Sequence, residues 1–591
     1  MSDLGGRATA GRRTVDRRRT AVLLILAVVA TVLSGCVSIP TSSSPQPIGT
    51  LPSRGPSAAV PIPRAGMSPE ALVRDFLKAT ANPGSNHQAA RQYLTESAAA
   101  AWDDRGDALI VDQISVLTDT RTDDSYSVRV IADNTGALAT DGHLAPSTGR
   151  VESSLRLTSV DGQWRIDGAL PRGVMIDRTQ FTSSYRTHEV YFPSPSGDRL
   201  VADPRWVYAT GGSLADQVVD LVVGGPSAEL APAVDPVLPG SDSVRATVTS
   251  TGSGGRALRF AGLGGLDARG RALFAAQLIW SLSAADIPGP YVIEADGAPL
   301  DERYADGWTT ADVATLDPSS SPRSATGLLV IRSGSLFRVS DTALTPVGGP
   351  LGSGGTVLSA AVSADGERVA AVTRTTTGQQ LVLGDLNGPT TSVASGQVIT
   401  RPSFGADRDT VWAVVDGQVQ RFRRDATGAV TGGTPIASSG VAAVARGDIT
   451  ELQVSRDGAR VAAIAGGVPV LGVVATAADG TVSLTGVRVA AFNIGSQTAS
   501  LDWVSGDTVV MARRTSDSPI IQVTVDGTPA VGLLSGNLTP PVTAVVGDRS
   551  TLYAADARGV LRLGSTNGDP DQYWNEVGPT VGTGAVPVIA Q

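Results

Sequence analysis

A repeat in the last half of the chain restricts its fold more than any other feature. Ser359-AAVSADGERVAAV and Ile449-TELQVSRDGARVAAI share one plan: a strand, a Ser-x-Asp-Gly turn, then a Val-Ala-Ala strand. Weaker copies start at Pro402, Leu501 and Thr543. The aligned turn positions Asp365, Asp407, Asp457, Gly506 and Asp548 recur every 42 to 50 residues. Units of that length with several short strands each are propeller blades. The span from about residue 311 to 591 predicts a β-propeller of five to six blades, with Asp317 as the mark of a degenerate first unit. The Asp-Gly pairs read as type I′ hairpin turns. Metal binding by these acids is not expected.

The other end of the chain carries an export signal. Arg7, Arg12, Arg13, Arg17, Arg18 and Arg19 precede the apolar run Ala21–Leu33, and Leu33-Ser34-Gly35-Cys36 closes it. A basic segment, an apolar run of this length and small residues at its end make a secretory signal peptide. The run is shorter than the roughly 20 apolar residues a membrane-spanning helix needs. Leu-Ser-Gly-Cys resembles the lipobox of bacterial lipoproteins. That resemblance implies cleavage between Gly35 and Cys36, with Cys36 becoming the lipidated first residue (N-palmitoyl and S-diacylglycerol). Two or more acyl chains make a stable anchor where one gives marginal binding. Residues 1–35 are thus read as signal peptide and 36–67 as a lipidated tether. The tether's seven prolines, among Ser and Thr, cannot build a core.

Cys36 is the sole cysteine, so no intrachain disulfide and no thiol catalysis are available to the body. The net charge is −9, and the chain becomes more acidic once its arginine-rich leader is removed. That balance excludes the basic footprint of a nucleic-acid-binding protein.

Between tether and repeat lie two further regions. Ser68-Pro69 starts a helix to about Ala81, with Leu72, Val73, Phe76 and Leu77 on one face. A second helical stretch carries Tyr93 and Leu94, and after Trp102 the apolar period changes to two. Residues 68–178 therefore read as an α+β domain whose element order is similar to NTF2-like modules. Its histidines, His87 and His143, have no evident catalytic partner and read as structural. Residues 179–310, opening near Phe181, hold a strand at Glu189–Phe192, helices at Leu214–Val223 and Ala272–Leu282, and a last strand at Tyr291–Glu294. That order, with Gly224-Gly225-Pro226 and Asp296-Gly297 as landmarks, resembles the GerMN domain, an α/β module.

Chemical motifs are scarce. His87, His143 and His188 lie in three separate contexts, Lys78 follows no glycine-rich phosphate loop, and no Gly-x-Ser-x-Gly elbow occurs. No catalytic residue, metal site or cofactor is expected. The many acids leave a glycosidase-type carboxylate pair open.

Taken in order, lipobox, tether, NTF2-like module, GerMN-like domain and propeller resemble the actinobacterial LpqB lipoprotein family over essentially the whole chain. The residues that carry this are Cys36, Tyr191-Phe192, Asp203-Pro204-Arg205, Gly224-Gly225-Pro226 and the Asp-Gly blade turns. Asp203 departs from the Glu common in GerMN domains. The resemblance implies a non-enzymatic, extracytoplasmic protein of the cell membrane. It would act as an accessory of an MtrB-like sensor kinase, which signals to the regulator MtrA, in envelope homeostasis and division. The alternative is a sensor of a cell-wall glycan, bound in the propeller or the NTF2-like pocket.

Overall fold

The structure is a computed structural model. It describes residues 60–591 except 123–124, 210–212, 239–243, 253, 320–325, 493, 529, 567–568 and 579–580. Gly35 and Cys36 lie outside the described residues. Every hydrophobic cluster and every strand ladder described lies within the compact unit Ser57–Gln591, so that stretch carries its own folding determinants.

Ser68 caps the first helix as expected. Its hydroxyl accepts from the Ala71 N–H at 3.3 Å, and Pro69 takes the first turn of α1 (Pro69–Ala79). Two short helices follow, α2 (Gly84–Arg91) and α3 (Glu96–Ala101), the latter capped by Thr95. The strands β1 (Ala108–Arg121), β2 (Ser125–Leu138), β3 (Leu144–Val160), β4 (Gln163–Asp167) and β5 (Val174–Asp177) form one sheet in the order β4-β3-β2-β1-β5. The β3–β4 turn is Asp161-Gly162, with φ of 50° and 73°, a type I′ turn. The apolar face of α1 packs with Tyr93, Trp102, Val128 and Leu157 against the sheet. The next helix, α4 (Arg178–Ser184), places Phe181 in this same core, as does the following Tyr185. The first domain's core therefore extends past residue 178, where the sequence reading ended it.

The second region begins with a two-stranded hairpin, β6 (Tyr185–Pro193) and β7 (Leu200–Tyr208), followed by α5 (Leu214–Gly224). A sheet of β8 (Arg245–Ser250), β9 (Arg256–Ala261) and β10 (Tyr291–Ala295) lies beside it. Strands β9 and β10 are parallel, so they need a crossover, which α6 (Ala268–Ala284) supplies. Asp267 caps α6, accepting from Gly270 N–H at 2.7 Å, so the helix starts before Ala272. Phe274, Leu278 and Leu282 of α6 are fully buried among Tyr191, Val218, Phe260 and Ile293. Residues 311–316, which the sequence places in the propeller, instead put Val313 and Leu316 against this core. Asp317 ends that 3-10 helix and marks no blade; the first blade turns at Ser333-Gly334.

Among the described residues the propeller has six blades, within the expected range. Blade one is Leu329–Arg332, Ser335–Val339 and Leu344–Pro346, completed by the late strand Val586–Val588, which pairs with Leu329–Ile331. Blades two to six start at Val357, Ser403, Ile449, Thr498 and Ala544. Each neighbouring pair of blades shares an apolar cluster, including Val330 and Phe337 of blade one with Val560 of blade six. The ring therefore closes by packing as well as by the late strand.

The Ser-x-Asp-Gly turns are not type I′. Only the glycine is left-handed at Asp365-Gly366 and Asp457-Gly458 (φ of 76° at both glycines), whereas type I′ needs both residues so. The aspartate is held in its own turn instead. Asp365 accepts from the Glu367 N–H at 3.0 Å and from the Ser363 hydroxyl at 2.6 Å, while Ser363 Oγ accepts from the Arg368 N–H at 3.0 Å. Elsewhere, as at Asp416-Gly417, both residues are left-handed and the expectation holds.

Candidate functional site

Because each blade's innermost strand enters the first turn on the same face, the repeat brings its turns together. Asp365, Asp407, Asp457, Gly506 and Asp548, from blades two to six, all line one cavity of about 640 Å³. Its roof is the β6–β7 hairpin, through Tyr191, Asp198 and Leu200, together with Thr315–Ser319. Gln591 lies at its floor. The site is thus a vestibule between the middle domain and the mouth of the propeller axis.

The vestibule's charges are largely committed to each other. Arg408 reaches from blade three to Asp365 at 2.9 Å and Glu367 at 2.6 Å on blade two. Burial would raise the Asp365 pKa, but the Ser363 hydroxyl, the Glu367 amide and Arg408 outweigh it and bring it below the usual carboxylate range. At the roof, Glu189 receives the Tyr191 hydroxyl and pairs with Arg549 at 3.3 Å. Its pKa is raised, chiefly by burial and then by the nearby Asp507 charge. Among the described residues neither histidine nor cysteine lines the vestibule, and its Ser505 and Ser550 hydroxyls are engaged by carboxylates. Each hydroxyl donates to the aspartate of its own turn, Asp507 or Asp548.

Below the vestibule the axis is polar and buried. Arg401 Nη2 donates to Glu451 Oε1 at 2.6 Å and to the Leu501 carbonyl at 2.7 Å, with Asp502 at 3.9 Å. Gln591 donates its amide to Asp502, which also accepts from the Gly547 N–H at 3.1 Å. Burial raises the pKa of both Glu451 and Asp502, and Arg401 opposes that.

A second polar cluster joins all three domains. Arg205 is 1% exposed and donates to Asp203 Oδ2 at 2.6 Å, to the Asp141 carbonyl at 2.8 Å and to the Gly225 carbonyl at 3.1 Å. Asp203 also accepts from the Ser227 N–H and hydroxyl. Glu229 Oε2 lies 3.1 Å from His143 Nε2 of the first domain, and its Oε1 lies 3.4 Å from Arg488 Nε of the propeller. Burial opposes ionisation of Glu229, but His143 and Arg488 outweigh it and lower its pKa. Arg460 of blade four donates to the Ala202 carbonyl at 2.8 Å, and Trp206 Nε1 donates to Asp526 at 3.1 Å.

The three histidines do not meet. His87 lies 2.8 Å from Asp104, which Arg91 also pairs. His143 is in the junction just described, and His188 lies on β6, its pKa lowered by burial. Among the described residues no group of three or more His, Cys, Asp or Glu could hold a metal ion. Asp203-Pro204-Arg205 and Gly224-Gly225-Pro226 served in the sequence as landmarks only; the structure makes them the junction. Two opposite charges two apart in an otherwise apolar strand were the available signal.

With this geometry in view, three sequence families match the chain. They are the "Lipoprotein LpqB, N-terminal domain" over residues 62–182, "Sporulation and spore germination" over 189–301 and the "Lipoprotein LpqB beta-propeller domain" over 334–590. The chain is 40% identical to lipoprotein LpqB of Rhodococcus jostii over 598 residues, covering 98% of this chain and 100% of that one. It is 39% identical to lipoprotein LpqB of Mycolicibacterium smegmatis over 589 residues, covering 97% and 100%. Among solved structures, the tandem GerMN domains of GerM from Bacillus subtilis match at 20% identity, with a TM-score of 0.19 and 22% and 48% covered.

Proposed function

The chain belongs to the LpqB lipoprotein family, and from that premise we propose that it is a lipid-anchored docking protein. Cys36 fixes it to the extracytoplasmic face of the cell membrane. There it binds the extracytoplasmic part of an MtrB-like sensor kinase and biases its signalling in envelope homeostasis and division. The observation that carries this reading is an exposed apolar group on the propeller rim. Val531 (61% exposed), Leu534 (62%) and Tyr573 (65%) sit where blades five and six meet, with Trp574 Nε1 bonded to the Leu534 carbonyl at 2.8 Å. That bond brings Leu534 next to the Tyr573–Trp574 segment, and exposed apolar side chains brought together are what interfaces bury. Anchoring confines both proteins to one surface and raises effective concentration, so a weak interface suffices. To bias a kinase, the protein must bind one of its states better than the other.

The test is proximity crosslinking in intact cells, with mass spectrometry of captured partners. A sensor-kinase ectodomain should be recovered, and the paired change Leu534→Asp and Tyr573→Asp should lose it. Recovery of cell-wall material alone would sink the reading. Cys36→Ala should release the protein from the membrane fraction and impair signalling; normal signalling by the released form would overturn the anchoring argument.

The vestibule favours a second reading, a sensor of cell-wall glycan. Acids and arginines from several blades converge on it among apolar walls, and it is large enough for a sugar unit. Calorimetric titration with soluble peptidoglycan fragments tests it, and an Asp407→Ala variant should weaken any binding seen.

A further inference from the structure

The first domain contains a cavity of a different character. It lies between α1 and the sheet and measures about 150 Å³. Phe76, Trp102, Leu109, Val130, Leu155 and Met175 belong to its mainly apolar wall, to which Glu152 and Ser153 also contribute. Thr80 also borders it, but its hydroxyl is bonded to the Leu77 and Met175 carbonyls at 2.7 and 2.6 Å. That hydroxyl therefore has no need of a polar ligand. An apolar space of this size accommodates a small hydrocarbon, as a comparable engineered cavity takes benzene, and this one is open at its edge.

The lip of the cavity is charged. Arg172, at its edge, stands 3.3 Å from Asp103, and Arg105 pairs with the same carboxylate at 2.9 Å. Two guanidinium groups around one carboxylate leave this edge net positive, with both arginines exposed, while Glu152, which lines the cavity from β3, pairs with Arg129 at 3.3 Å. The domain is also the one joined to the tether, since Val60 and Met67 pack against its core. An apolar slot with a cationic rim, on the domain next to the anchored segment, matches an amphiphile with an anionic head.

We propose that this cavity receives the end of one acyl chain of an anionic membrane lipid, whose head group lies against Arg172 and Arg105. The contact turns the first domain toward the bilayer and adds a second, reversible attachment to the covalent one. Anionic lipid surfaces attract such arginines, and the hydrocarbon contributes in proportion to the methylenes it buries.

The test uses the stretch Ser57–Gln591 and n-alkyl phosphates from butyl to decyl, below their micelle concentrations, followed by calorimetry. Affinity should rise about fourfold per methylene and level off at about six carbons, when the cavity is full. A flat series, or one that climbs without levelling, overturns the cavity assignment. Leu109→Phe and Val151→Phe, both at half-buried positions, should each lower hexyl phosphate affinity at least tenfold with an unchanged melting temperature. Unchanged affinity in both folded variants also overturns it. Vesicles of brominated phosphatidylglycerol then test the source. They should quench the part of the fluorescence that Trp102→Phe removes, and brominated phosphatidylcholine should quench it less. Alkyl phosphate binding without that quenching would rule out the bilayer as the source.

Discussion

Arg205 shows how one residue can hold a junction. It is buried, its partner Asp203 is buried, and both lie where the first domain's Asp141 and the middle domain's Gly225 meet. Removing one partner of a buried pair leaves an uncompensated charge, at a cost of about 3–5 kcal/mol. Arg205→Ala should therefore lower the melting temperature sharply, and a combined Arg205→Met, Asp203→Leu change should recover part of the loss in calorimetric melts. Glu70 makes a different point. It accepts from the Thr118 hydroxyl at 2.7 Å and the Tyr126 hydroxyl at 2.8 Å, which with the helix start lowers its pKa to about 2. A carboxyl with a depressed native pKa stabilises the fold above its unfolded value and loses that contribution as pH falls toward about 2. The double change Thr118→Val and Tyr126→Phe should move the acid limb of the unfolding curve to higher pH, measured by far-ultraviolet dichroism. Glu189 has the opposite sign, since its raised pKa makes its contribution fall as pH rises.

The Ser-x-Asp-Gly turn is the element on which the propeller is built. In blade four, Ser455 Oγ accepts from the Arg460 N–H at 2.9 Å and donates to Asp457, which accepts from the Ala459 N–H at 3.0 Å. Ser455 is fully buried, so Ser455→Ala strands a backbone donor, at about 1–3 kcal/mol. A lower guanidinium midpoint of that size is the expected outcome, and the exposed Ser550→Ala change should cost less. Gly458 cannot be replaced at similar cost. Its φ is 76° and an added Cβ would meet Ala406 at 2.6 Å, between blades four and three.

At the scale of the molecule, the middle domain is clamped between its neighbours. Glu229 links His143 of the first domain to Arg488 of the propeller, and Arg460 ties blade four to β7. A body held this way offers its partner one fixed surface. Glu229→Ala should loosen the clamp while leaving each core intact. Hydrogen exchange should quicken by about tenfold in residues 139–146 and 485–490 and stay constant in the propeller's inner strands.

The order of the domains, the propeller, the capped helices and the type I′ turn at Asp161-Gly162 were legible in the chain, because apolar period, caps and turn residues are properties of neighbouring residues. Three things were not. The Asp-Gly turns in the blades took another conformation, because their aspartates bind a serine and an amide just beyond the glycine. The limits of the middle domain moved, because Phe181 and Val313 were claimed by whichever core could bury them. The vestibule, the buried axial charges and the junction came from folding alone. They join residues such as Arg460 and Ala202, 258 positions apart. Their meeting depends on ring closure and domain packing, and no local pattern encodes that.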